Sequence, residues 1–314
     1  MMLIGVAAVS WGTTGSVMAV LQRHGAISPL FVGTARLWIA ALFLGIGASL
    51  VTARGPGGSS IGPAGARALR LHPRERALAI AAGACMAGYQ AAYFTAVAWA
   101  GIAVTALVAI CSAPIFIAVL APLLLGERLS TRVGSALGLG VVGTALMVAG
   151  PGGASSSPRF GAGIALGLGA GLAYALYAVL TKAALARAAA LPLTALTFGA
   201  GAILLTPALL FVDAPLAELR GGWPWLLYLG GVATAGAYAL YSRGLIAVPA
   251  SIAGIVTLLE PLTATCLGVL VFNERLGLYG ALGAALLLVA LVLLAARTTP
   301  SGPPSSEGAA RTTR

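Results

Sequence analysis

PIFIAVLAPLLLGERL, residues Pro114–Leu129, and PLTATCLGVLVFNERL, residues Pro261–Leu276, are one phrase written twice. Each opens on a proline, runs through apolar residues and closes on Glu-Arg-Leu, at Glu127-Arg128-Leu129 and Glu274-Arg275-Leu276. The offset of 147 (261 − 114) also pairs Leu120 with Leu267, Leu123 with Leu270 and Val142 with Val289. Earlier in the chain the offset is 163 (192 − 29), which pairs Pro29-Leu30 with Pro192-Leu193 and Thr34 with Thr197. The difference of 16 (163 − 147) is what an insertion between residues 53 and 74 of the first copy produces. A repeat of this length in an apolar chain points to a transporter.

Working outward, 60% of the residues are hydrophobic and 8% charged, with a mean hydropathy of +1.01. That balance lies outside the soluble range. A helix rises about 1.5 Å per residue, so roughly 20 apolar residues cross a hydrocarbon core of about 30 Å. Ten such segments are predicted, near 2–21, 29–52, 76–99, 102–124, 132–150, 159–181, 192–212, 223–242, 249–272 and 277–296. They are continuous runs rather than the short alternating strands of a barrel, and no signal peptide is expected ahead of the first.

Five segments per copy is an odd number, so the second copy enters the bilayer upside down relative to the first. The expected fold is an all-α integral membrane protein, ten transmembrane helices in two inverted five-helix repeats. The first repeat is residues 1–150, with an arginine-rich cytoplasmic loop at 53–74; the second is 159–296; a disordered cytoplasmic tail follows at 297–314. With the N-terminus in the cytoplasm, that side holds Arg54, Arg67, Arg70, Arg74, Arg76, Arg128, Arg132, Lys182, Arg187, Arg243, Arg297, Arg311 and Arg314. The outside holds Arg23, Arg159, Arg220 and Arg275, and the resulting bias places both termini in the cytoplasm of a multi-pass inner-membrane protein. The net charge of +11 therefore reflects loop arginines between spans rather than a nucleic-acid surface.

Several residues sit where a bilayer makes polar groups expensive. Glu260 lies about halfway along the ninth segment, where a carboxylate costs roughly 2.5–3.5 kcal/mol. It is a candidate for proton coupling or for holding a substrate ammonium; alternatively it supports helix backbone broken by Pro261. Pro114 and Pro261 are candidate hinges or kinks that release the carbonyls of Ile110 and Thr257. Arg36 lies inside the second segment and either snorkels, pairs within the bundle or clamps a substrate carboxylate. Lys182 and Arg243 are read as anchors of helix ends.

Polar aromatic residues recur on matching segments. Tyr89, Gln90 and Tyr93 lie on the third, Tyr238 and Tyr241 on the eighth, Tyr174 and Tyr177 on the sixth, and the 163 offset sets Tyr174 opposite Trp11. With Arg36 they form the candidate substrate-binding set, the alternative being interfacial belt or ordinary packing. Gly163, Gly167 and Gly171 repeat every four residues, a pattern for close helix approach within the bundle or, less directly, for a dimer. Cys85, Cys111 and Cys266 all fall within segments and are read as small buried core residues, without a metal pattern.

Ser10-Trp11-Gly12, Ala35-Arg36-Leu37 with Ala40-Ala41, Leu259-Glu260-Pro261-Leu262 and the two Glu-Arg-Leu ends together resemble the EamA-type branch of the drug/metabolite transporter superfamily. The resemblance covers residues 1–296. It implies a ten-helix inner-membrane carrier that exports amino acids or related small metabolites. The first copy departs from the Leu-Glu-Pro pattern, reading Ser112-Ala113-Pro114, so any role of the glutamate is single-sided.

The leading expectation is a secondary active exporter of small metabolites working by alternating access, with proton coupling resting on Glu260. The alternatives are a multidrug or lipophilic cation exporter with Glu260 as counter-charge and, in another class, a channel or membrane scaffold. No enzyme is expected: there is no phosphate-binding Gly-Lys-Ser/Thr loop and no catalytic cluster. Expected partners are a small-molecule substrate and the lipid bilayer, with no nucleic acid, no cofactor and no metal, in a monomer or homodimer.

Overall fold

The computed structural model describes residues 1–24, 27–53, 71–148, 158–272 and 277–295. Residues 54–70 of the expected loop at 53–74, the expected tail at 297–314 and the second Glu-Arg-Leu lie outside them. The described residues form helices and connecting turns, with no strand among them.

The first half comprises α1 (Met2–His24), α2 (Pro29–Ala53), α3 (Pro73–Ala100), α4 (Ile102–Leu125) and α5 (Thr131–Val148). The second comprises α6 (Phe160–Leu185), α7 (Ala190–Leu205) extended by a 3-10 turn (Thr206–Phe211), then α8 (Pro215–Leu227), a π-helical stretch (Tyr228–Gly236) and α9 (Ala237–Ala247), then α10 (Ala250–Val256), α11 (Leu259–Phe272) and α12 (Leu278–Ala295). Taking α8, the π stretch and α9 as one rod and α10 with α11 as another makes ten rods. Seven of them contain stretches long and apolar enough to cross a bilayer, and two more carry the shorter apolar stretches Met2–Met18 and Thr131–Leu146. The remaining rod, 215–247, is longer than the expected 223–242 because Pro215 starts it early and π turns carry it through the bundle.

Local chemistry sets the rod ends. Pro29 opens α2, where a missing amide costs nothing, and the Ser28 N–H donates to Glu218 Oε2 of α8 at 2.9 Å. Gly101 (φ +86°) lets α3 turn directly into α4, and Gly126 (φ +67°) ends α4 in a left-handed cap. There the Gly126 N–H donates to Pro122 O at 3.1 Å and Glu127 N–H to Ala121 O at 3.4 Å, so the final turn is satisfied and the Glu127 side chain is free to point away.

In lipid, helices associate by close packing of backbones, and glycines mark the crossings. A Cβ on Gly171 would stand 3.0 Å from Ala109 O of α4, and one on Gly163 3.0 Å from Ala100 N of α3. The Gly163/Gly167/Gly171 row is thus consumed inside the bundle. On the other side α1 closes on α11 at Gly12, whose Cβ would stand 2.7 Å from Glu260 O. Large apolar side chains such as Leu42, Leu123, Leu210, Leu270 and Val292 cover the outside of the bundle. Cys85 is half-buried and Cys111 buried, but Cys266 is exposed on that outer surface, against the expectation of a core residue.

Candidate functional site

Proline-bearing rods decide where polar backbone is found. α4 runs unbroken through Pro114 and Pro122. The rod containing Pro261 divides between α10 and α11 at Thr257-Leu258. Pro261 has no N–H to offer Thr257 O, and that carbonyl accepts the Glu260 N–H instead, at 2.9 Å. Thr257 Oγ1 donates to Gly254 O at 2.7 Å and holds the turn. The backbone amide of Glu260 therefore repairs the break, and its carboxylate is left for other work.

That carboxylate faces a cavity of about 420 Å3 between the two halves. Trp11 and Thr14 of α1, Arg36 of α2, Tyr89, Gln90 and Tyr93 of α3, Tyr174 of α6, Thr234 of the π stretch, Tyr238 of α9, and Glu260 and Pro261 of α11 all line it. The structure thus brings together all of the sequence-derived candidates except three. Tyr177 and Tyr241 are fully buried one layer beneath the floor, and Pro114 is buried against α10, its Cα 3.6 Å from where a Cβ on Gly254 would stand. Phe198, Met86, Thr14 and Thr234 line the cavity without having been singled out in the sequence, since nothing in an apolar run distinguishes an inward position from a packed one.

Arg36 does not snorkel. Its Nε donates to Thr234 Oγ1 at 3.0 Å, and Thr234 in turn donates to Leu229 O at 2.7 Å, five residues back. The π stretch makes this possible: an i to i+5 turn rotates Thr234 onto α2, where Gly230 admits Ile39 and the Arg36 carbonyl. The Nε edge of the guanidinium is thus held by Thr234, and both residues line the cavity. The Glu260 carboxylate makes no hydrogen bond or ion pair among the described residues, and it lines the same cavity as Arg36. Cation and anion share one chamber without touching.

The walls are aromatic. Trp11 meets Tyr238 with ring centroids 4.7 Å apart, Tyr238 meets Phe198 at 4.7 Å, and Tyr89 meets Tyr93 at 5.7 Å and Tyr174 at 5.8 Å. These ring contacts give the cavity that Arg36 and Glu260 line a largely aromatic wall. No group of three or more His, Cys, Asp or Glu suited to a metal occurs among the described residues.

Toward one end the cavity reaches Pro29 at the start of α2 and Val97 near the end of α3. At the opposite end Lys182 Nζ, read from sequence as an interface anchor, donates to Leu245 O at 2.6 Å, Ile246 O at 3.2 Å and Val248 O at 2.9 Å, capping α9. Arg243 is exposed.

Comparison with known proteins agrees with this architecture. The model of the EamA-like transporter family matches twice, over residues 1–149 and 161–296. The chain is 36% identical over 294 residues to the uncharacterized transporter YwfM of Bacillus subtilis, covering 93% of this chain and 92% of that one. It is 32% identical over 203 residues to an uncharacterized transporter of Archaeoglobus fulgidus, covering 65% and 70%. A crystal structure of a protein 20% identical in sequence superposes with a TM-score of 0.73 over 93% of this chain and 95% of that one, a likeness of fold.

Proposed function

Since the chain belongs to the EamA-like transporter family and is a multi-pass membrane transporter, we propose that it exports small zwitterionic metabolites, amino acids or close relatives, as a secondary active carrier. The observation that carries this reading is the pairing of Arg36 and Glu260 in one aromatic chamber. A guanidinium suits a carboxylate and a carboxylate suits an ammonium; rings between them suit an apolar side chain. Proton coupling in this reading resides on Glu260, the acid among the cavity-lining residues.

Alternating access by two inverted repeats is the motion we assign to it. Supporting this, the contacts recur when the halves are exchanged. α3 and α4 pack on α6 as the α8–α9 and α10–α11 rods pack on α1, α2 packs on the π stretch as α7 packs on α3, and α5 packs on α12. With the N-terminus in the cytoplasm, the cavity opens to the outside and the Lys182 end faces the cytoplasm.

The test is counterflow into proteoliposomes with a panel of labelled neutral amino acids and with tetraphenylphosphonium. A saturable amino acid signal is expected. Arg36→Gln and Glu260→Gln should each weaken it by about 30- to 150-fold, the equivalent of about 2–3 kcal/mol for a charge-assisted hydrogen bond. A second reading, a lipophilic cation exporter, is favoured by the aromatic wall beside Glu260; there tetraphenylphosphonium exchanges and Arg36→Gln has no effect. Flux that does not saturate would point to a channel and overturn both.

A further inference from the structure

Beneath the cavity floor the bundle is sealed, but not by apolar side chains alone. On α6, Tyr174, Tyr177 and Thr181 follow one another down a single face toward Lys182, about 12 Å away from Tyr174 at 1.5 Å per residue. Tyr241 and Ser242 of α9 and Thr194 of α7 meet that face. The Tyr177 ring lies 5.8 Å from that of Tyr174 and stacks on that of Tyr241 at 6.5 Å. Thr194 and Ser242 are bonded at 2.8 Å. Yet the Tyr174, Tyr177, Thr181 and Tyr241 hydroxyls are buried without completing a well-formed hydrogen bond, as is Trp11 Nε1 at the floor. Buried polar groups left in this state are costly, and an apolar core would serve simple closure better.

The column ends at a double clamp. Lys182 caps the last carbonyls of α9, while Glu127 at the end of α4 caps the first amides of α10: Ala250 N–H donates to Oε1 at 2.6 Å, and Ser251 N–H and Oγ donate to Oε2 at 3.1 and 2.8 Å. The two side chains grip neighbouring residues, Lys182 at Val248 O and Glu127 at Ala250 N. Both helix termini are thereby held with the sign of charge each favours. The cation of the clamp is one-sided, because the 163 offset sets Ala19, which carries no charge, opposite Lys182, while the 147 offset sets Glu274 opposite Glu127.

We propose that the column from Tyr174 to Thr181, with Tyr241 and Ser242, is the collapsed second half of the substrate route, and that Lys182 and Glu127 clamp the α9–α10 junction to keep it shut. This rests on the alternating-access reading but not on the identity of the substrate. In the other state the column parts, water or substrate satisfies its hydroxyls, and the cavity mouth at Val97 closes.

Cysteine accessibility tests this without any substrate. In a background with Cys85, Cys111 and Cys266 replaced by alanine, single Thr181→Cys, Ser242→Cys and Val97→Cys reporters are reacted with a charged, water-soluble thiol reagent on protein in lipid nanodiscs, both faces exposed. With the clamp intact, Thr181→Cys and Ser242→Cys should react at least tenfold more slowly than Val97→Cys. Adding Lys182→Met or Glu127→Gln should raise the first two rates at least tenfold and lower the Val97→Cys rate. Unchanged rates at 181 and 242 in both clamp variants would overturn the proposal. So would a rise at all three positions, which reports loosening rather than an exchange of openings. Loss of amino acid transport with the reciprocal labelling intact would remove the substrate reading and leave the clamp standing.

Discussion

The rods carrying Pro114 and Pro261 come from one repeated phrase and take different shapes. α4 keeps its helix through Pro114, held between Ser112 against Gly171 of α6 and Pro114 against Gly254 of α10. The α10–α11 rod opens at Thr257-Leu258 and turns Glu260 toward the cavity. Proline removes the same donor in both. Among the residues that differ is the one whose carbonyl loses it: Thr257 in the second copy, Ile110 in the first (257 − 147). Thr257 brings a hydroxyl that ties the turn to Gly254 O, and Ile110 has nothing comparable. A proline permits a break, and the neighbouring side chain with its packing decides whether it happens.

Making the second rod resemble the first is the sharpest way to break this comparison. Glu260→Ala reproduces the Ala-Pro of the first copy, and transport should fall roughly 100-fold, the scale of a lost charge-assisted contact. Protein recovered as a monodisperse peak in detergent should be unchanged. Pro261→Ala comes next. Restoring the amide lets the helix close over the break and withdraws the carboxylate, for an expected loss of about tenfold in transport, or about 1.4 kcal/mol. Pro114→Ala, in a rod already continuous, should leave transport within about twofold, since the helix there has no break to close. Equal losses from the two alanines would mean that the proline rather than its setting is what matters. The smallest effect is that of Thr257→Ile, which imports the first copy's residue. Loss of one neutral hydrogen bond, about 1 kcal/mol, should lower the melting temperature by a few degrees, read by scanning fluorimetry.

The helix count and the repeat were legible because they are written in composition and offset, which do not depend on how the rods meet. Glu260 and Arg36 stood out for the same reason, as charges in apolar runs. Which tyrosines face the chamber was not legible. Tyr174 and Tyr177 lie three apart on one helix, and only the first reaches the cavity. Glu127 looked like a mark of the repeat, and its capping of α10 needs a partner 123 residues away. Thr234 was hidden for a different reason: its role depends on the π turns that rotate it onto Arg36, and no residue pattern announces them.

Sequence alone determined that this chain is a multi-pass membrane protein built of long apolar helices and that the same unit occurs twice. Those properties follow from transfer free energies and lengths summed along the chain, which are local quantities. The tertiary structure decided which polar side chains share a chamber, which one is tied to a neighbouring helix and which end of the bundle is clamped. These are distances between residues far apart in sequence, and they are set by how closely glycine-lined rods approach one another.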